Sequence, residues 1–249
     1  MHAYASLFES QAAEYSKYRP TYPPALYAAI EEYARTHGGS GGRHRLAADI
    51  ATGNGQAAVD IAKVYERVVG IDASPQQVAQ APPAANMAFV LGTAEATGLP
   101  AGSCDLVTVA QALHWFELPA FYAEAARILR PRGTLAIWGY AKGHIEGGVD
   151  AAADAVAHAA KEACWAGTLG PYWDARRALL DAEYAGMEPP APAFTNVSRS
   201  RLYMDKAWSI REVAGYATTW SAHATYLKRT GVARGSDADP AVVFLRALL

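Results

Sequence analysis

The chain has 249 residues, of which 51% are hydrophobic and 18% charged, and its 22 Lys and Arg residues nearly balance its 24 Asp and Glu residues. This composition excludes a disordered or fibrous protein, and a net charge of −2 without a basic cluster argues against nucleic acid as the main partner. With two cysteines, no long apolar run and no signal-peptide pattern, we expect a cytoplasmic protein without a disulfide framework or membrane association.

Short apolar runs alternate with segments of helical period over residues 46–138, which predicts an α/β fold with a parallel sheet and helices on both faces. The five runs are Leu46–Ala51, Val68–Asp72, Met87–Leu91, Leu106–Ala110 and Gly133–Trp138. Ser74 and Pro75 predict a helix start directly after the second run. Before the first run, a helix with Leu26, Ala29, Ile30 and Tyr33 on one face is expected.

The chain after the fifth run is less regular. Residues 139–192 are rich in alanine and then in aromatic residues, which predicts a helical insertion, and residues 193–202 have the pattern of a further strand. Ser209 and Glu212 form a capping box that predicts another helix. Residues 193–249 are expected to return to the sheet, which either lacks its last strand or packs Val242, Phe244 and Leu248 in that place. An open sheet edge favours self-association, so the protein is expected to be a monomer or a homodimer.

A glycine turn follows the first predicted strand, in the segment Asp49–Gly55. Such a turn brings backbone amides close to a ligand and directs a helix N-terminus toward it. Asp72 ends the second strand, where a carboxylate can accept hydrogen bonds from both hydroxyls of a ribose. The two features together predict a site for an adenosine-type cofactor, although glycines also serve ordinary strand-to-helix turns.

These residues resemble the first motif of class I S-adenosylmethionine-dependent methyltransferases, in which an acidic residue precedes three spaced glycines. Ala51 stands at the position of the first of those glycines. The segment Gln111–Phe116, QALHWF, is similar to the small-molecule branch that includes trans-aconitate methyltransferases. So is the aromatic N-terminal pattern around Tyr15, Tyr18 and Arg19. The resemblance implies methyl transfer from S-adenosylmethionine to a small-molecule acceptor, with S-adenosylhomocysteine as the product.

The resemblance also implies roles for segments and residues. Segment 1–45 is expected to supply a lid and a helix, 46–138 a Rossmann-like cofactor-binding core, and 139–192 an insertion on the acceptor side. The implied cofactor-binding residues are Tyr18, Arg19, Asp49, Ala51, Gly53, Gly55, Asp72, Ala73, Ala94, Glu95, Gln111, Ala112 and Trp115. The implied acceptor-side residues are Tyr15, Tyr22, His114, Trp138, Tyr140, Trp165 and Trp173.

Side-chain chemistry agrees with two of these implied roles. A guanidinium can bind a carboxylate through two hydrogen bonds, so Arg19 is expected to hold the methionine carboxylate. His114 is the candidate general base, because an imidazole exchanges protons near neutral pH. A structural role for His114 below the cofactor stays open.

Two other functions remain open on sequence alone. Gly53–Ala58 also matches the G-x-G-x-x-A pattern of nicotinamide-dependent oxidoreductases, although the long lead-in and Asp49 are unusual there. A cofactor-binding module without catalysis is the second alternative. No metal site is expected, because the histidines are dispersed and have no cysteine partner.

Overall fold

A computed structural model describes residues 17–38, 44–140, 142–146 and 150–249. The chain forms two compact units. The first comprises Thr21–Tyr140 and Leu179–Asp205, and the second comprises Ala141–Ala178 and Lys206–Leu249 with the described residues before Thr21. Residues 1–16, which include Tyr15 and most of the predicted lid, lie outside the described part of the chain.

The first unit is built on a five-stranded parallel sheet in the order β3-β2-β1-β4-β5. The strands are β1 (Leu46–Ile50), β2 (Arg67–Asp72), β3 (Met87–Leu91), β4 (Cys104–Ala110) and β5 (Leu129–Trp138). All five predicted strands are therefore confirmed. The strand order reverses direction between β1 and β4, and in such sheets ligands bind outside the carboxyl ends of the strands at this point.

In the part of the chain that the structure describes, four helices accompany the sheet: α1 (Pro24–His37), α2 (Gln56–Ile61), α3 (Pro75–Ala79) and α4 (Leu118–Ile128). The Ser74 hydroxyl caps α3 by accepting from the backbone N–H of Gln77, as the sequence predicts. Buried side chains of α4, including Phe121, Ala125 and Ile128, form part of the core. The helix after the glycine turn ends at Ile61, and turns continue the chain to Tyr65.

The second unit is helical in its described residues. Helix α5 (Ala151–Glu162) continues into a π-helical turn (Ala163–Thr168), and α6 (Arg177–Asp181) runs from this unit into the first. Helices α7 (Ile210–Ala217), α8 (Ser221–Thr230) and α9 (Pro240–Leu248) complete it, and the predicted capping box at Ser209 is present. Within the described ranges, no helix is both long enough and apolar enough to span a membrane.

The strand predicted at residues 193–202 is wrong. This segment has neither helix nor strand, and Val197 and Leu202 are exposed by 53% and 42%. Arg199 and Arg201 instead pair with Glu188 and Glu183. The C-terminal helix does not replace a strand either, because Phe244 packs into the core of the second unit beside Trp165 and Trp220. In the described residues, β5 is the last strand of the sheet.

A buried acidic side chain links α4 to the loop after β3. Glu124 accepts from the backbone N–H of Thr97 at 2.9 Å and pairs with Arg127 at 2.7 Å. The Arg127 hydrogen bond, more than any other effect, lowers the pKa of Glu124 to about 2. A carboxyl whose pKa is lower in the folded state stabilises the fold above its unfolded pKa, and this contribution disappears as the pH falls toward 2.

We predict that Glu124→Gln lowers the free energy of unfolding at pH 7 by about 1–3 kcal/mol, the usual range for hydrogen bonds to a charged group. Urea unfolding at pH 7 and pH 3 measures the effect, and the difference between the proteins should shrink at pH 3. Glu32→Gln is the matched control, because Glu32 forms the same i,i+3 pair with Arg35 on an exposed helix face. Equal losses in both variants would contradict this role for Glu124.

Candidate active site

The turn after β1 has a backbone that glycine favours. Gly53 and Gly55 have φ values of 59° and 87°, and a Cβ on Gly55 would lie 2.8 Å from the ring of Phe89. Ala51, which stands in the place of a motif glycine, has a φ of 52°. A left-handed conformation costs an L-residue with a Cβ roughly 1–2 kcal/mol. Position 51 therefore keeps a left-handed backbone that alanine itself disfavours.

The Asp72 carboxylate joins this turn to the start of α3. Its two oxygens accept from the backbone N–H groups of Gly53 and Ser74, each at 2.8 Å. Burial raises the pKa of Asp72, and these backbone hydrogen bonds act in the opposite direction. A carboxylate oxygen has more than one lone-pair direction, so both oxygens retain capacity for ligand hydroxyls.

Asp49 lies at the end of β1 and is fully buried. Its two oxygens accept from the hydroxyls of Thr108 and Thr52, both at 2.6 Å. Burial raises its pKa to about 6, with a smaller contribution in the same direction from the charge of Asp72. The site therefore holds a carboxyl group whose charge changes within the physiological pH range.

Gln77 is a candidate site residue that the sequence analysis missed. The residue is 4% exposed, and its Oε1 has no hydrogen-bond partner among the described residues. That oxygen lies 3.8 Å from the point where a Cβ on Gly53 would stand. A buried acceptor without a partner costs free energy, which a ligand N–H or O–H would recover. No local sequence signal marks Gln77, because a glutamine in a short helix is ordinarily solvated.

A second group of predicted residues follows β4. Gln111 has a φ of 60°, and its backbone N–H donates to the Trp138 carbonyl at the end of β5. The chain then forms a 3₁₀ turn, Leu113–Trp115, in which His114 is 6% exposed. Ala112 and Trp115 are buried beside it. The carboxyl end of β4 is therefore followed by a buried imidazole beside the ring of Trp115.

Three aromatic residues predicted for the acceptor side are neighbours at the end of β5. The Tyr22 ring meets Trp138 edge-on at a centroid distance of 5.4 Å and lies 6.3 Å from the ring of Tyr140. Tyr27 adds a further ring near Trp138. This part of the first unit can present aromatic faces to a ligand.

The other predicted residues of the first unit have different partners. Ala73 directly follows Asp72, and Ala94 is buried in the loop after β3. The Glu95 carboxylate, which the resemblance places at the adenine, accepts from the backbone N–H of Glu117 at 3.0 Å, just before α4. Its cofactor role stays a prediction. In the described ranges, no cluster of three or more His, Cys, Asp or Glu side chains could hold a metal ion.

The remaining predicted residues lie in the second unit. The rings of Trp165 and Trp173 are 4.2 Å apart, and the Arg177 guanidinium lies about 5 Å from both. Arg19 donates to the Thr219 carbonyl at 2.9 Å. The ring of Tyr18 packs against Gly215 of α7. The expected roles of these residues in binding cofactor or acceptor stay predictions.

Known proteins resemble this chain in sequence and in fold. Residues 48–137 match the family described as a methyltransferase domain. A protein of Dictyostelium discoideum that is named as a candidate methyltransferase is 38% identical over 222 residues, which cover 89% of this chain and 79% of that protein. A methyltransferase of the fungus Pestalotiopsis fici is 32% identical over 141 residues, covering 51% of this chain and 42% of its own length.

A solved structure gives the same result for the fold. The structure of a candidate type II methyltransferase from Anaeromyxobacter dehalogenans superposes with a TM-score of 0.68 and is 28% identical. The match covers 92% of this chain and 88% of the other. Similarity therefore extends over both compact units and is not confined to the sheet.

We predict opposite effects for two alanine-to-glycine substitutions in and beside β1. Ala51→Gly should raise the free energy of unfolding by up to about 1 kcal/mol, because it removes left-handed strain that exceeds the added chain entropy. Ala48→Gly, on the buried strand β1, should lower the free energy of unfolding, because glycine weakens a strand interior and this substitution relieves no left-handed strain. Thermal and urea unfolding measure both, and a loss of stability in Ala51→Gly would show that the turn carries no strain there.

Proposed function

Because this chain belongs to the class I S-adenosylmethionine-dependent methyltransferases, we propose that it methylates a small-molecule acceptor at oxygen or nitrogen, with S-adenosylmethionine bound in the first unit. The observation that carries the proposal is the Asp72 carboxylate, which accepts from the glycine turn and from the start of α3 at one edge of the sheet. The near balance of acidic and basic residues agrees with a small acceptor better than with a nucleic acid.

The residues at the ends of β1 and β2 fit this cofactor. Asp72 would bind the ribose hydroxyls, and Asp49 would attract the methionine ammonium through the turn. The unpartnered Oε1 of Gln77 would accept from a cofactor N–H or O–H. When bound, S-adenosylmethionine would supply a methyl group attached to a sulfonium sulfur, and the sulfur would keep the electron pair of the sulfur–carbon bond that breaks. The protein itself then contributes orientation and the exclusion of water.

The acceptor would lie at the ends of β4 and β5. The rings of Tyr22, Trp138 and Tyr140 offer apolar and aromatic faces, which favours an acceptor with an aromatic or otherwise flat apolar part. His114 is buried in the turn after β4 and would take the proton of an acceptor O–H or N–H. An acceptor that reacts as an anion would need no base.

Family membership decides against the nicotinamide oxidoreductase that the glycine turn alone leaves open. The G-x-G-x-x-A spacing has a common cause in both families, because each needs backbone amides close to a ligand at the start of a helix. With the oxidoreductase excluded, the chemical class of the methyl acceptor is the question for experiment.

Cofactor choice tests the proposal first. We expect S-adenosylhomocysteine to bind the full chain in calorimetry while NADH does not. Asp72→Asn should weaken the binding roughly 10- to 100-fold, since a hydrogen bond to a charged group contributes about 1.5–3 kcal/mol. Asp237→Asn, which changes an exposed carboxylate in the second unit, is the control and should bind like the wild type. NADH binding without S-adenosylhomocysteine binding would refute the proposal.

The raised pKa of Asp49 predicts how cofactor affinity depends on pH. With a pKa of about 6, most Asp49 carboxyls are neutral at pH 5 and ionised at pH 8, so attraction for the ammonium is lost as the pH falls. S-adenosylhomocysteine should then bind roughly tenfold more weakly at pH 5 than at pH 8, because about one molecule in ten is competent at the lower pH.

Asp49→Asn isolates this effect. The variant should show weaker binding with little pH dependence between pH 5 and pH 8. Calorimetry at both pH values gives the comparison. Identical pH profiles for the variant and the wild type would remove Asp49 from cofactor recognition.

A further inference from the structure

His114 has a partner that lies 70 positions later in the chain. Its Nδ1 is 3.3 Å from the hydroxyl of Tyr184, and the two rings are near parallel, with an interplanar angle of 25°. Both residues are buried in the first unit. His114 follows β4, whereas Tyr184 lies in the segment 179–205, which follows the insertion. Two distant parts of the chain therefore meet at the predicted acceptor side.

The backbone at Tyr184 is strained. Glu183 and Tyr184 have φ values of 55° and 59°, so two successive residues with side chains take the left-handed conformation. Such a conformation costs roughly 1–2 kcal/mol for each residue and persists only where surrounding contacts maintain it. Here the Arg199 guanidinium donates to the Glu183 carbonyl at 2.6 Å and to the Tyr184 carbonyl at 3.4 Å.

The residue that follows β5 leaves space for the Tyr184 ring. A Cβ on Gly139 would lie 3.1 Å from a ring carbon of Tyr184, 3.3 Å from its hydroxyl oxygen and 2.5 Å from Leu180. Any larger residue at position 139 would therefore push the ring away from its place. The position of the Tyr184 phenol is therefore fixed by three features: the left-handed backbone, the Arg199 hydrogen bonds and the absence of a Cβ at Gly139.

Filling the core does not explain this arrangement. Tyr122 shows how a buried tyrosine serves structure alone, since its hydroxyl donates to the Met187 carbonyl and its backbone lies in the regular helix α4. The Tyr184 hydroxyl instead meets a ring nitrogen whose proton can move. In histidine, the hydrogen bond of one ring nitrogen decides which tautomer the other presents.

We propose that Tyr184 is a positioning residue for His114, whose Nδ1–H donates to the phenol oxygen. The inference rests on the proposed function in one respect, that His114 acts as the base. With Nδ1 protonated, Nε2 carries a lone pair. The acceptor O–H or N–H gives its proton to Nε2, and the electron pair of that bond stays on the acceptor atom. The resulting imidazolium keeps its Nδ1–H on Tyr184 and later returns the Nε2 proton to water, while Tyr184 stays neutral.

The test uses the tautomer of His114 and needs no acceptor. Nitrogen NMR of the full chain with ¹⁵N-labelled histidine distinguishes Nδ1–H from Nε2–H, and His114→Gln assigns the His114 signals by their loss. We expect the Nδ1–H tautomer in the wild type and a shift of population toward Nε2–H in Tyr184→Phe. Tyr122→Phe, which also removes a buried hydroxyl from the first unit, should leave the His114 signals unchanged. An unchanged tautomer in Tyr184→Phe, or Nε2–H in the wild type, would overturn the inference.

A second variant covers the case in which Tyr184→Phe does not fold. Arg199→Gln removes the guanidinium that holds the Glu183 and Tyr184 carbonyls, from a side chain that is about half exposed. The same shift toward Nε2–H is expected, and an unshifted spectrum would contradict the proposal. S-adenosylhomocysteine binding separates the proposed function from the proposed role of Tyr184. If the wild type does not bind S-adenosylhomocysteine, the proposed function is contradicted. If Tyr184→Phe binds it normally and the His114 tautomer is unchanged, only the role of Tyr184 is contradicted.

Discussion

One carboxylate connects the turn after β1 to the start of α3 at the carboxyl edge of the sheet. Asp72 at the end of β2 accepts from Gly53 in the turn after β1 and from Ser74 at the start of α3. Without this acceptor, two backbone N–H groups would lack a partner in a partly buried place, at a cost of about 1–3 kcal/mol for each group. This connection fixes the turn against the start of α3, and the charge of Asp72 adds a small part to the raised pKa of Asp49, which burial mainly causes. The proposed ribose contact would use a carboxylate that the fold has already fixed.

Three residues with a left-handed backbone lie at the carboxyl edge of the sheet, whereas Arg132 within β5 and Asn196 have this backbone elsewhere. Ala51 after β1, Gln111 after β4 and Tyr184 beside the end of β5 all have positive φ values although each has a side chain. Strained residues persist where surrounding structure holds them, and they are frequent at functional sites. Their common location agrees with a site that extends from the glycine turn to His114.

The central strands β1 and β4 could be predicted from sequence because they are buried almost throughout, and parallel strands buried on both faces read as continuous apolar runs. The wrong strand at residues 193–202 shows the limit of the method. Val197 and Leu202 fit a strand pattern locally, but no neighbouring strand pairs with them, and arginine–glutamate pairs hold the segment instead. In the site, Asp49, Gly53 and Asp72 lie on adjacent strand ends and follow a local motif. Gln77 and Tyr184 carry no such signal, since their significance depends on a ring or a turn that only tertiary structure brings close.

The two halves of the site differ in how far apart their parts lie along the chain. Asp49, Gly53, Asp72 and Gln77 lie within 29 residues of one another, whereas the pairing of His114 with Tyr184 closes a loop of 70 residues. Closing a long loop costs chain entropy before its contacts form, so the acceptor half is expected to assemble later during folding. Most side chains of the segment 179–205 are exposed, apart from Leu180, Tyr184 and Met187, and low burial is a feature of regions that open locally before the rest of a domain unfolds. Local opening of this segment would separate Tyr184 from His114, while the turn after β1 keeps its native structure.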